Sequence, residues 1–185
     1  MLSGMQMKLF ECDDPPRPKY FSDEVLEMTL DKLMPHVISW LQEGNKSSRF
    51  SDEDYQLTRD DLKRAIEFED DAYEITRSLD DMGWGECRSL INLMDRVENF
   101  RRSSHKYFVE KWVLNNGVQP KAKVGETVGF KHNDGKQYSG TIISILETEA
   151  KYLVFCPDLG HVKKGTIGVQ GIYLSYEDVK IHSVL

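Results

Sequence analysis

The chain has 185 residues, 39% of them apolar and 30% charged, with 24 Lys and Arg against 31 Asp and Glu for a formal net charge of −7. Eight Phe, eight Tyr and three Trp add enough apolar surface to build one domain or two small ones, which excludes wholesale disorder. No run approaches 18 uninterrupted apolar residues, and the opening MLSGMQMKLFECDDPP has no apolar stretch before its acids, so neither a transmembrane helix nor a signal peptide is expected. Cys12, Cys87 and Cys156 lie far apart and form no CxxC, which points to reduced thiols in a cytoplasmic setting rather than to a disulfide or a zinc site.

Charge and pattern both change along the chain. Residues 1–118 hold 16 basic and 24 acidic side chains, net −8, whereas residues 119–185 hold 8 and 7, net +1. The first part has helical periodicity and the second reads as short strands with Gly-rich turns. The change falls at Asn115-Asn116-Gly117-Val118-Gln119-Pro120, where a Gly just past a helix and a following Pro make a stop. The expected organisation is α+β, with an extended N-terminal arm over 1–21, an acidic helical bundle over 22–117 and a small β-barrel over 120–185.

In the arm, Pro15, Pro16 and Pro18 fix φ and remove donors, so residues 11–20 are expected to be extended. Pro15 and Pro18 have PxxP spacing, and a surface arm accounts for them. Ser22 is a good N-cap for a helix whose stripe is Leu26, Leu30, Leu33, Val37 and Leu41, and Pro35 predicts a kink or break near Met34. After a loop at Gly44–Phe50, Ser51 or Thr58 starts a second helical region. Thr58 with Asp61 resembles a capping box, and Phe68, Ala72, Ile75, Leu79 and Met82 form the stripe. A turn at Gly83-Trp84-Gly85 leads to a third region over about 86–114, with Arg101-Arg102-Ser103-Ser104 as a point where it breaks. Three or four helices packed as a bundle follow from this.

Residues 51–82 contain twelve acids and four basic residues, net −8, more than the charge of the whole chain. A solvated helix face accounts for them, and so does a docking face for a basic protein groove, with Asp52, Glu53, Asp54, Asp60, Asp61, Glu67, Asp70, Asp71 and Glu74 as contacts. An extension of the second reading is a viral-type inhibitor that imitates nucleic-acid phosphates in front of a nucleic-acid enzyme. The helical spacing of Glu67, Asp70, Asp71 and Glu74 also offers oxygen donors on one face. No His falls in the segment and no EF-hand loop is present, so no metal or other cofactor is expected. Arg96, Arg101, Arg102, His105, Lys106 and Lys111 form a smaller basic cluster that either pairs internally with the acidic segment or contacts phosphate.

In the C-terminal part, VGETVGF reads as a strand, Asn133-Asp134-Gly135-Lys136 as a hairpin turn, and QYSGTIISIL as a second strand in which Gly140 marks a bulge or bend. Further strands are expected over 150–156, near Thr166–Val169, over Ile172–Leu174 and over Val179–Ile181, with a helical turn at Ser175–Asp178. The segment VGETVGFKHNDGKQYSGTIISI resembles the opening hairpin of the Tudor and KOW-type members of the SH3-like barrel class. That resemblance, over residues 120–185, implies a binding module without catalysis. In the Tudor-like case Phe130 and Tyr138, with Tyr152 or Phe155, are the walls of an aromatic cage for a methylammonium group. In the KOW-like case Lys131, Lys136, Lys163 and Lys164 meet phosphates. GxSxG, HExxH, Walker A and GxGxxG are absent, and Cys156 with His161 lacks a third partner, so the chain is read as no enzyme. The reading is a non-catalytic protein that docks its acidic face on a basic partner. The alternative is a nucleic-acid or modified-peptide reader acting through the barrel.

Overall fold

The computed structural model describes residues 15–44, 51–85, 87–160, 163–164, 168–169 and 171–181. The order is α1 (Asp23–Gly44), α2 (Asp52–Ile66), α3 (Ala72–Asp81), α4 (Arg88–Met94) and α5 (Arg96–Asn116). Strands β1 (Thr127–Lys131), β2 (Gln137–Leu146), β3 (Lys151–Phe155), β4 (Lys163–Lys164), β5 (Gly168–Val169), β6 (Ile172–Ser175) and β7 (Val179–Ile181) follow. The chain divides into two units, residues 18–108 and residues 109–185 with 1–17, so the division falls inside α5. No helix of the described residues is long and apolar enough to cross a membrane.

In the helical unit α1 runs unbroken through Pro35, which is exposed, while Leu26, Leu30, Leu33, Met34 and Val37 are buried on its other face. The expected break is absent. The N-cap of α2 is Ser51, whose hydroxyl accepts from the Asp54 N–H (3.1 Å) while the Asp54 carboxylate accepts from the Ser51 N–H (2.9 Å). Thr58 is mid-helix and 8% exposed, so the cap expected there is not used. The second region is two helices, not one. It ends at Ile66, crosses a link, and restarts with Asp71 as N-cap, whose carboxylate accepts from the N–H groups of Tyr73 (2.9 Å) and Glu74 (3.1 Å). The third region breaks at Asp95 rather than at Arg101–Ser104, which lies inside α5. Leu62, Ile66, Ile75, Leu79, Leu90, Met94 and Val97 complete the core with α1.

Glu27 ties α1 to α2. Its carboxylate accepts from Lys63 (2.5 Å) and Arg59 (2.6 Å), and Arg59 also pairs with Asp31 (2.9 Å). Lys63, then Arg59, hold the Glu27 carboxyl below the ordinary glutamate range. A depressed folded pKa adds stability above the unfolded value of about 4.3, and this is lost as pH falls through the lower folded value. Glu27→Gln is expected to lower stability by about 1 kcal/mol at pH 7, since the group is two-fifths exposed and screened. The deficit should shrink at pH 3. Urea denaturation at both pH values checks this, and an equal deficit at each would remove the ionic account.

In the other unit α5 stops at Asn116. Gly117 is left-handed (φ +60°), and the Val118 N–H returns to the Val113 carbonyl (3.1 Å), as the Gly-Val-Gln-Pro stop predicts. A curled five-stranded antiparallel sheet, a half-barrel, follows in the order β6-β3-β2-β1-β7. Alternation puts Val128, Phe130, Ile142, Tyr152, Val154, Cys156 and Leu174 inside. The β2–β3 register shifts between Ile142 and Ser144, so the bulge is at Ile143, while Gly140 itself stays in register with Val128. A 3-10 turn at Tyr176–Asp178 precedes β7, and β4 pairs with β5 in a separate two-stranded sheet.

Candidate interaction surfaces

The carboxylates of residues 51–82 divide by what they touch. Asp54 and Asp71 are committed to helix caps, and the Ser51 hydroxyl, then its N–H, hold the Asp54 carboxyl low. Asp61 accepts from the Trp84 indole N–H (2.9 Å), and Trp84 stacks on Trp40 with rings 8° from parallel. Asp70 pairs with Arg101 at 2.5 Å. These four hold the fold together. Asp52, Glu53, Asp60 and Glu74 are exposed and Glu67 is half-buried. Asp60 is met by the Gln56 amide (2.9 Å), and Glu74 by Arg77 across 3.7 Å, both at the surface. The face therefore carries a smaller outward set than the sequence alone suggests.

The helical spacing of Glu67, Asp70, Asp71 and Glu74 is not realised on one face, because α2 ends at Ile66 and α3 begins at Ala72. Among the described residues no group of three or more His, Cys, Asp or Glu is arranged to hold a metal ion.

The same segment exposes apolar groups. Leu57 is 60% exposed, Phe68 75% and Tyr73 54%. Phe68 was expected in the core stripe. The link between α2 and α3 turns it outward instead, beside Glu67 and Glu69. A large ring left in water among carboxylates is an unusual surface for a protein without a partner.

The basic cluster divides: Arg101 is buried and pairs with Asp70 of the acidic segment, whereas Arg96 and Arg102 are exposed and meet residues outside it. Arg102 pairs with Glu98, Arg96 meets the His36 ring nitrogen (3.0 Å), and Arg101 is 1% exposed.

In the half-barrel the candidate cage residues separate. Phe130 and Tyr152 are 1% and 0% exposed and wall the core. The Tyr152 hydroxyl oxygen accepts from the N–H groups of Lys121 (2.9 Å) and Ala122 (3.0 Å), which pins the chain ahead of β1. Tyr138 is half-buried, lies over Phe130 with centroids 6.1 Å apart, and donates to Asp134 (2.8 Å). The Lys136 N–H, then the Tyr138 hydroxyl, hold the Asp134 carboxyl below its ordinary range. No ring face of Phe130 or Tyr152 is open to a methylammonium ligand. Lys131 and Lys136 are exposed at the β1–β2 hairpin. The side chains of Lys163 and Lys164 lie outside the described residues, as do Cys12, His161, Thr166 and Ile167. Cys156 is 0% exposed in the core.

Phe155 points outward and lines a depression of about 250 Å³ with Thr127, Ser139, Thr141, Ile143 and Pro157. Its lining holds hydroxyl and apolar groups and no charge. No family model, no curated protein and no solved structure matches this chain.

Proposed function

We propose that this protein is a non-catalytic interaction protein whose acidic helical surface on α2 and α3 docks on a basic protein partner. The observation that carries the reading is the exposure of Leu57, Phe68 and Tyr73 within the same net −8 segment. Carboxylates alone steer a partner and set association rate, whereas buried aromatic anchors supply most of the affinity in protein interfaces. A phosphate mimic built only of charge has no use for an exposed Phe. A partner protein with an apolar seat inside a basic surface does. Inhibition of a nucleic-acid enzyme is a natural extension, since the basic groove of such an enzyme fits this charge.

The half-barrel is read as SH3-like. The strand order β7-β1-β2-β3-β6, the bulged β2 and the 3-10 turn ahead of the last strand support that reading. The alternative divides: a modified-peptide reader on this barrel is weakened by the burial of Phe130 and Tyr152, and a nucleic-acid reader by a net charge of only +1 over residues 119–185. Short DNA and RNA probes are therefore expected not to bind at low salt, and binding that falls with salt would favour the alternative.

The test separates charge from anchor. A partner captured on the immobilised full chain is expected to elute with rising salt. Retention should fall at least about tenfold with Phe68→Ser and with the charge reversal of Asp60, Glu67 and Glu74 together. Asp54, Asp61, Asp70 and Asp71 are left intact because they hold the fold. A partner retained equally by both variants would overturn the assignment of this face.

A further inference from the structure

Pro15, Pro16 and Arg17 lie extended against residues of the C-terminal unit, and their contacts are unusually complete for a chain arm. The Trp112 indole N–H donates to the Pro15 carbonyl (3.0 Å). The Arg17 guanidinium lies over the Trp112 ring, 5.7 Å from its centroid. One guanidinium nitrogen donates to the Ala150 carbonyl (3.2 Å) and reaches the Glu177 carboxylate (3.3 Å), while the other donates to the Glu149 carbonyl. The Arg17 side chain is 12% exposed, whereas Pro15 and Pro16 remain open to solvent.

Three separate stretches of chain converge to make this seat. Trp112 comes from the last turns of α5. Glu149 and Ala150 come from the 3-10 turn after β2, and Ala150 is the one non-glycine described residue with positive φ, at 46°. Glu177 comes from the 3-10 turn before β7. The Ala150 carbonyl also accepts from the Tyr176 N–H (3.0 Å), which joins the two turns. Backbone held in a left-handed conformation at a non-glycine residue persists only where surrounding structure enforces it.

Each contact reads a portable feature of a peptide. The indole N–H reads a backbone carbonyl two residues before an arginine. The planar fork of that arginine meets two carbonyls, a carboxylate and a ring face, which a lysine would not match. Two successive prolines present the arginine from a backbone already extended, so little entropy is lost on docking. We infer that Trp112, Glu149, Ala150 and Glu177 form a recognition site for an extended Pro-Pro-Arg segment, and that residues 15–17 occupy it in cis. A peptide of the same chemistry supplied in trans is the ligand class this site takes. The site is separate from the acidic face and does not depend on its reading.

A tethered segment competes at an effective concentration on the order of millimolar, so it masks a site of modest intrinsic affinity by about tenfold or more. A fluorescein-labelled peptide DPPRPKY is titrated by anisotropy into the full chain. Arg17→Ala is expected to bind it at least about tenfold more tightly than wild type. Adding Glu177→Gln should remove most of that gain, and a peptide with Ala in place of Arg should not bind. Arg17→Lys, checked beside Arg17→Ala for an unchanged far-UV spectrum, should give an intermediate affinity. Equal peptide affinity for wild type and both Arg17 variants would overturn the proposal. So would a wild-type dimer by light scattering that dissociates in Arg17→Ala, because the segment would then be exchanged between copies.

Discussion

Arg101→Met is expected to destabilise the helical unit by about 3 kcal/mol, seen as a drop of about 2 M in the urea midpoint by far-UV circular dichroism. Arg101 sits in α5 at 1% exposure and donates to the carbonyls of Ile66 and Glu69 (3.1 Å) and to the Asp70 carboxylate (2.5 Å). Those acceptors are the open end of α2 and the start of the link to α3, groups that no helix bond satisfies. The guanidinium also lies under Phe21, 4.7 Å from its ring centre, with Tyr20 at 5.9 Å. Burial, then the nearby Asp70 carboxylate, push the Tyr20 hydroxyl up to about 12. Methionine fills the space and removes every donor, so the Glu69 carbonyl loses the guanidinium and the Ile66 carbonyl keeps only a long bond from the Glu69 N–H (3.5 Å). Lysine keeps the charge but replaces a planar fork by one ammonium, and should recover less than half of the loss. A midpoint unchanged in Arg101→Met would show that water serves residues 66–70 as well as the guanidinium does.

The same residue explains what was hard to read in the helices. Core positions along α4 and α5 run Met94, Val97, Arg101 and Ser104, all buried. The helical phase is continuous, but its third and fourth members are polar. A search for apolar periodicity therefore takes Arg101–Ser104 for a break. The α2–α3 link shows the converse. After Leu62 and Ile66 the next core positions of one helix are residues 69, 70 and 73, occupied by Glu, Asp and Tyr, whereas the apolar residues are Phe68, Ala72, Ile75 and Leu79. That phase jump marks a new helix and frees Phe68 to point outward. Ser51 and Thr58 both begin an S/T-x-x-D pattern, and burial of Thr58 decides between them. The strands were easier, because alternation and the Asp-Gly turn act over neighbouring residues. β2 spans the expected Gln137–Leu146, and the last three elements fall where composition puts them.

The surfaces were legible only in part, and for a geometric reason. Charge is a property of composition, so the acidic segment is visible in the sequence. Whether a carboxylate faces water, caps a helix or meets Trp84 depends on partners up to 31 residues away, as Asp70 and Arg101 show. The Pro-Pro-Arg seat lies further out of reach. Arg17 meets Glu177 across 160 residues and Pro15 meets Trp112 across 97, and no local pattern encodes such pairs. The arm carries the PxxP spacing, but its contacts use the Pro15 carbonyl and the Arg17 guanidinium rather than the spacing itself.

Gly140→Ala is expected to destabilise the half-barrel by about 2–3 kcal/mol, although the position is in a strand, where glycine is ordinarily a weak choice. A Cβ there would fall 2.5 Å from Val154 Cγ1 and 2.7 Å from the Phe155 carbonyl oxygen, with Cys156 Cβ at 3.3 Å. The curl of the sheet brings β3 over this point of β2, so the missing side chain is what lets two backbones approach. Val154 can rotate or be shortened, but the carbonyl is held by the strand. Adding Val154→Ala to Gly140→Ala should therefore restore only part of the stability beyond the loss that Val154→Ala causes alone. Gly135→Ala at the hairpin tip is the control. Its cost comes from a left-handed backbone (φ +82°) with no neighbour within 4 Å, so about 1 kcal/mol is expected. Thermal melts followed by near-UV circular dichroism would rank the four variants. If Gly140→Ala melts no lower than Gly135→Ala, close approach of β3 is not what requires glycine, and the curl must be set by the Ile143 bulge instead.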